Sequence, residues 1–333
     1  GLMLPNSILT DIPTRIGGYA PKNFDNTYEG AVLASDALAH SLNIPFVRLL
    51  KEYGTDKFLF LLHNLGFTTI NQNADHYGLS LILGGADITL WETTGMFAGM
   101  GRSLLTYCKE NQYNKNDFHL PTYTKLKTSK IEMDKSSWLS AGAIYATLQA
   151  LTIANRPGNE IGWEYFSSIH KIAWKTGTSF GHRDAWAIGV TPEYTIGVWV
   201  GNSTGEGRPG LTGVSHAAPV MFEMFKFLQP KKWFQTPVKD MMPIDVCANS
   251  GLRPSSLCPT IKVWVPKKAT KAKICPYHVA VHLDSTKTYR VNSDCYPVSS
   301  IVTEAKFVLP PAMEWFYRKN HPEYQMLPDY KKG

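Results

Sequence analysis

The stretch IAWKTGTSFGHRDAWAIGV, residues 172–190, decides the fold. Apolar and polar residues alternate on either side of a Phe-Gly-His-Arg turn, and YTIGVWVGN (residues 194–202) continues the alternation beyond a Thr-Pro-Glu turn. A period of two broken by such turns predicts three strands in an antiparallel meander. In the middle strand Ala185, Ala187 and Gly189 share one face, and Trp186, Ile188 and Val190 the other. A face of small residues admits a helix at close range. SHAAPVMFEMFKFL (215–228), with Pro219 in its first turn, is the helix expected to pack there.

Upstream the period is helical. NTYEGAVLASDALAHSLNIPFVRLLKEYGTDKFLFLLHNLGF (26–67) predicts two helices, the first capped by Ser35, with a break after Asn43 marked by Pro45 and a second helix running to Gly66. ADITLWETTGMFAGMGR (86–102) is another helix, and SSWLSAGAIYATLQALTIA (136–154) a third, capped by Ser136 or Ser137. Helices, a short antiparallel sheet and a closing helix make an α+β, three-layer αβα domain over residues 1–228.

Residues 229–333 differ in kind. They carry 16 Lys and Arg against 8 Asp and Glu, whereas residues 1–228 carry 18 against 19, so the net charge of +7 belongs to this segment. Its basic residues are scattered, without aromatic interleaving, which reads as a solvated surface and not as a nucleic-acid site. It also holds 12 of the 21 prolines and four of the five cysteines: Cys247, Cys258, Cys275 and Cys295. This density predicts a small, irregular or β-rich appendage held by disulfides in an oxidising compartment, and no metal. Cys247 with Cys258 and Cys275 with Cys295 are the local pairing, although sequence does not fix it. A zinc site from Cys247, Cys258, Cys275 and His278 is the rival; the ten residues between its first two cysteines exceed the usual knuckle spacing. The longest apolar runs fall far short of the roughly 20 residues that cross a bilayer, and the start lacks the pattern of a signal peptide. The chain is therefore expected to be cytosolic or to lack its targeting segment.

The chemistry centres on Lys175-Thr-Gly-Thr178. K-T-G followed by Thr or Ser arises by chance in about one chain in a hundred of this length. Lys175 offers a fixed cation for a carboxylate, Thr176 and Thr178 offer hydroxyls, and Gly177 clears space for an extended peptide to lie along the strand. The N–H of Thr178 is a candidate oxyanion donor. Ser41 and Asn43 form an S-x-N at a helix break about 130 residues earlier. With S-x-x-K, the two motifs make up the triad of penicillin-binding proteins and class A β-lactamases. His170, His182 and His216 near the sheet lack the elbow of a serine hydrolase, and Arg183 with Asp184 is read as an ion pair fixing the hairpin.

These strings, with YAPKNFDNTYEGAV, ALAHSLNIPFV, LSLILGGADITLWETTGMFAGMGR, GLTGVSHAAPVMFEMF and the tail pieces VCANSGLRPSSLCP, CPYH and LPPAMEWFYRKNHPEYQMLPDY, give a resemblance over most of residues 10–330. The chain resembles the transpeptidase domain of class A penicillin-binding proteins, most closely of the 1C type. The resemblance implies a β-lactamase/transpeptidase-like fold without organic cofactor, and peptidoglycan D,D-transpeptidation through an acyl-serine that penicillins trap. It implies peptidoglycan stem peptides and β-lactam antibiotics as partners, with other cell-wall synthesis proteins possible. It places the intact protein at the outer side of a cytoplasmic membrane, anchored by an N-terminal helix. Ser41 would relay a proton, Asn43 hold the substrate amide, Lys175 with Thr176 and Thr178 bind the terminal carboxylate, and Gly177 leave room for the peptide beside them.

The departure lies in the nucleophile. Family S-x-x-K precedes the segment at which this sequence starts, so the domain is expected to be N-terminally incomplete and inactive alone. The S-x-x-K present here, Ser168 to Lys171, leads into a strand, where i and i+3 point to opposite faces. Two alternatives stand beside this reading: a hydrolytic relative on the same scaffold, a D,D-carboxypeptidase or β-lactamase, and, from a different class, a non-catalytic module binding cell-wall peptide or a partner.

Overall fold

The computed structural model describes residues 3–124, 131–153 and 171–331. The chain forms two compact units, Ser35–Met242, and a second in which Gly1–Ala34 joins Pro243–Gly333. These units correct the expected boundary at residue 228, for two physical reasons. Phe234 is buried with Met100, Leu104 and Val190, and the Asp240 carboxylate accepts the Gly142 N–H at 2.7 Å, so residues just past 228 belong to the first unit. At the other end, Ile8 donates its N–H to the Ser250 carbonyl at 2.8 Å, which ties the first strand to the tail.

The meander of the Ser35–Met242 unit forms as the alternation predicts. Strands β5 (Ala173–Thr178), β6 (Asp184–Val190) and β7 (Thr195–Gly201) lie antiparallel in the order β5-β6-β7. Lys175 faces Ile188 and Thr178 faces Ala185 across the first pair. Helix α7 (Ala218–Leu228), entered through a π-turn at Gly213–Ala217, covers the small face. The approach is close: a Cβ on Gly189 would lie 2.5 Å from the Phe225 ring and 2.9 Å from the Met221 sulfur. Ala185 and Ala187 are fully buried in the same cluster.

Helix α5 (Leu90–Glu110) covers the other face, where a Cβ on Gly197 would lie 2.0 Å from the Thr94 hydroxyl. Behind it stands α6 (Ala141–Ala150), whose Ile144 and Leu148 share a core with Leu104 and Val190. Three layers result, helix, sheet and helices. Ser140, not Ser136 or Ser137, caps α6 by accepting the Ala143 N–H. Ser136 instead donates to Asp134, in the short antiparallel pair of β3 (Tyr113–Asn114) and β4 (Met133–Asp134).

Before these elements come α1 (Ala34–Ala39), α2 (Asn43–Tyr53), α3 (Thr55–Asn64) and the single turn α4 (Ala74–Tyr77). The break therefore precedes Asn43, which opens α2. Pro45 sits in the first turn of that helix, where its missing N–H costs nothing. The single helix expected up to Gly66 is divided at Gly54, whose φ of +97° a β-carbon would strain.

The second unit is built of two-stranded ribbons. β1 (Ile8–Asp11) pairs with β2 (Gly30–Leu33), β8 (Met241–Cys247) with β9 (Thr260–Pro266), and β10 (His278–Leu283) with β11 (Val302–Phe307). Helix α8 (Pro311–Asn320) crosses β2 at Gly30, where a Cβ would meet the Met313 carbonyl at 2.2 Å. Its core is modest: Ala31, Leu309 and Met313, flanked by Tyr277, Phe307, Tyr317 and Tyr324. Among the described residues no helix is long and apolar enough to cross a membrane.

One buried carboxylate organises the start of α5. Glu92 closes a capping box with Thr89 and also accepts the N–H of Thr68 at 2.7 Å, the N–H of Thr69 at 3.0 Å and both threonine hydroxyls. Burial works against its charge, yet these donors hold its pKa down at about 2. The unfolded chain thus takes up the proton first, so this stabilisation is present above about 4.5 and is lost as pH falls toward about 2. Glu92→Gln is expected to lower the melting temperature at neutral pH and to flatten its acid decline. Parallel acid profiles for the two proteins would contradict this.

Candidate active site

Strand β5 is the edge of its sheet among the described residues, and the parity of its backbone shows what that edge offers. Ser179 donates its N–H to Asp184 on the β6 side at 3.0 Å, whereas Trp174 donates to Leu151 on the opposite side at 3.2 Å. Alternation along a strand then turns the N–H and C=O of Thr176 and Thr178 toward the edge away from β6. The candidate oxyanion donor, the Thr178 N–H, is among them.

Side chains alternate by the same rule. Thr176 and Thr178 lie on the α7 face, where Thr178 Oγ1 accepts the Gly213 N–H at 3.0 Å. Accepting uses a lone pair and leaves the O–H free to donate. Lys175 lies on the other face and donates from Nζ to the Ser41 hydroxyl and, at 3.0 Å, to its neighbour's carbonyl at Thr176. Burial pushes the Lys175 ammonium down to about 8. Ser41 reaches this position from a left-handed backbone, φ +58°, in the turn between α1 and α2, and Asn43 follows as the first residue of α2. The structure thus brings Ser41 and Lys175 into contact and sets Asn43 beside them in sequence. A lysine that titrates near 8 against a serine hydroxyl can bind an anion or pass a proton.

Two supports escape sequence reasoning. Gly213 backs the strand: a Cβ there would lie 2.4 Å from the Trp186 carbonyl and 2.5 Å from that of Gly177. It sits inside GLTGVSHAAP, where no spacing rule singles it out. His182 fixes the loop after β7; its backbone is left-handed, its ring meets the Leu211 carbonyl at 3.0 Å, and its own carbonyl accepts the Arg208 N–H. Asp184 receives the Trp199 indole N–H at 2.9 Å and closes the hairpin through Ser179. His170 lies outside the described residues. His216 bonds to Ser215 at 2.8 Å in the π-turn.

The cysteines depart from expectation. All five are free, so the pairs Cys247–Cys258 and Cys275–Cys295 do not form. Cys247, Cys258 and Cys275 gather instead around His278, all four ligand atoms within 4.8 Å of one another. Cys295 is exposed, its thiol on the Asn292 side-chain oxygen. The cluster departs from the disulfide assignment and brings together the four residues of the rival zinc site. The missed signal is Cys275-x-x-His278, a knuckle spacing hidden behind the long first interval.

Over 228 residues, 68% of the chain, the sequence is 33% identical to penicillin-binding protein 1C of Escherichia coli K12. The chain belongs to the penicillin-binding proteins. It is 27% identical over 236 residues to penicillin-binding protein 1B of Vibrio cholerae. The matched parts span 27% and 28% of these two relatives and, for the second, 67% of this chain. No family model matches. Among solved structures, penicillin-binding protein 1A of Haemophilus influenzae superposes with a TM-score of 0.60 at 20% identity, covering 82% of this chain and 46% of that one. PonA1 of Mycobacterium tuberculosis does so with 0.52 at 17% identity, covering 71% of this chain and 65% of that one, and it has also been solved with penicillin V. The fold is that of penicillin-binding transpeptidase domains.

Two glycines of the site separate folding from binding. A Cβ on Gly177 meets only ordinary contact with Trp186, at 3.6 Å, so Gly177→Ala is expected to leave the melting temperature nearly unchanged and to obstruct only what lies along the edge. Gly213→Ala must displace two carbonyls and is expected to cost about 1–3 kcal/mol by chemical denaturation. Equal stability of the two variants would refute this division.

Proposed function

We propose that the open edge of β5, with Ser41 and Asn43, is the substrate-tail half of a serine D,D-transpeptidase site acting on peptidoglycan stem peptides. The observation that carries this reading is the Lys175 ammonium, half-buried against Ser41 on a strand that is the edge of its sheet among the described residues. An acyl-D-Ala-D-Ala peptide added along β5 would pair with the backbone of Thr176 and Thr178 and set its carboxylate near Lys175 and the Thr178 hydroxyl. The Thr178 N–H would then stabilise the oxyanion, Asn43 would hold the substrate amide, and Ser41 would relay a proton toward the leaving D-Ala. β-Lactams, which carry a carboxylate at the corresponding place, would occupy the same edge. Cell-wall chemistry places this reaction outside the cytoplasmic membrane.

The nucleophile is not expected to be Ser168. It lies outside the described residues, but its motif partner Lys171 is engaged elsewhere, 2.8 Å from the Gln149 side-chain oxygen and over the Trp233 ring. The chain of 333 residues should therefore bind the peptide tail without being acylated.

Titration of the chain with diacetyl-Lys-D-Ala-D-Ala, followed by amide NMR, tests this. Perturbation is expected at Thr176 to Ser179, and it should vanish when the terminal carboxylate is replaced by carboxamide. Lys175→Ala should weaken binding roughly 10- to 100-fold, the loss of one charged hydrogen bond. Because the cation is the protonated form, affinity should fall as pH rises through about 8. Covalent labelling by a fluorescent penicillin, abolished by Ser168→Ala, would overturn the assignment of the nucleophile. Peptide binding indifferent to Lys175 would overturn the site.

A further inference from the structure

We propose that Cys247, Cys258, Cys275 and His278 form a structural zinc site that holds the tail unit together. The distances fit the ion. Zinc with Zn–S of about 2.3 Å and Zn–N of about 2.0–2.1 Å in tetrahedral geometry sets each sulfur about 3.6 Å from the nitrogen. The Sγ atoms of Cys247, Cys258 and Cys275 lie 3.5, 3.4 and 3.6 Å from His278 Nδ1. Three thiols merely packed on an imidazole have no reason to be equidistant from one nitrogen; ligands of one ion do.

The backbone around the cluster is shaped for thiolates. Cys247 ends β8, and the turn behind it returns the Ser250 N–H to its sulfur at 3.4 Å. Gly251 completes that turn with φ +63° and cannot be replaced, since a Cβ would lie 1.8 Å from the Asn6 carbonyl. Cys258 receives the Ser255 N–H at 3.3 Å, and the Ser255 hydroxyl lies 3.2 Å from the same sulfur. Cys275 is held by its N–H on the Arg253 carbonyl at 2.7 Å, and His278 follows at the start of β10. N–H donors aimed at sulfur stabilise the anion that zinc requires.

Four protein ligands close the coordination sphere, so the role is structural. Burial agrees: Cys247, Cys275 and His278 are buried and Cys258 partly so. A unit of two-stranded ribbons around a small aromatic core is also the kind of domain that a metal completes. Binding one Zn²⁺ by three thiols and a neutral imidazole releases three protons and involves no oxidation.

The full chain, purified and dialysed against metal-free buffer, is expected to retain about one zinc by plasma mass spectrometry. Denatured with EDTA and without reductant, it should expose all five thiols to Ellman's reagent. Co²⁺ exchanged for zinc should give the intense visible bands of tetrahedral thiolate coordination. His278→Cys should keep the metal, His278→Ala should lose it, and Cys295→Ser should leave both metal content and stability unchanged. Three or fewer thiols in the denatured chain, or no zinc retained after refolding with Zn²⁺, would overturn the proposal. So would equal zinc content in His278→Ala.

Discussion

A single ammonium group, that of Lys175, ties strand β5 of the Ser35–Met242 unit to the turn before α2. Its bond to the Ser41 hydroxyl turns one face of β5 to the start of α2, and the chain leaves α1 through the left-handed Ser41 to make it. A cation in half-buried surroundings is costly, and the depressed pKa of Lys175 shows that cost still borne in the folded chain. Sites that bind anions bear such costs in advance, because the ligand's charge then meets a cation already stripped of much of its water.

Close contacts through the sheet stand behind that edge. Gly189 lets α7 seat against β6, Gly197 lets α5 seat against β7, and Gly213 lets the π-turn lie against the carbonyls of the K-T-G strand. Each substitutes backbone contact for side-chain bulk, and interiors packed at crystal-like density transmit small displacements instead of absorbing them. The face of β5 that carries Thr178 is thereby tied to backbone, while Gly177 is left with ordinary contacts. Rigidity behind the strand and space in front of it are what a peptide-accepting edge needs.

The meander and its covering helix were legible because they depend on local alternation, on two turn sequences and on one helix whose proline sits where helices begin. Ser41 and Lys175 were legible as motifs, but their contact was not, since nothing in a sequence states which way a turn carries a hydroxyl. The helix break was misplaced by a few residues because Pro45 is tolerated inside a first turn as well as at a break. The tail was harder. Its cysteines lie on three segments whose convergence depends on β8, β9 and β10 together, so spacing along the chain gave the wrong partner for Cys275. The unit boundary failed for the same reason: the strands that complete the tail come from the other end of the sequence.

That last feature bears on how the molecule is made. With Ile8 bonded to Ser250, and Asn6 pressed against Gly251, the first ribbon has its partners more than two hundred residues downstream. During synthesis β1 and β2 emerge before their partners and wait, unpaired on that side, until the whole of Ser35–Met242 and much of the tail have followed. Contacts of such separation are slow to close, because the chain entropy between them is lost before the contact repays it. The turn at Gly251 is therefore a late latch, by which β1 is secured only after β8 and the turn behind it have arrived.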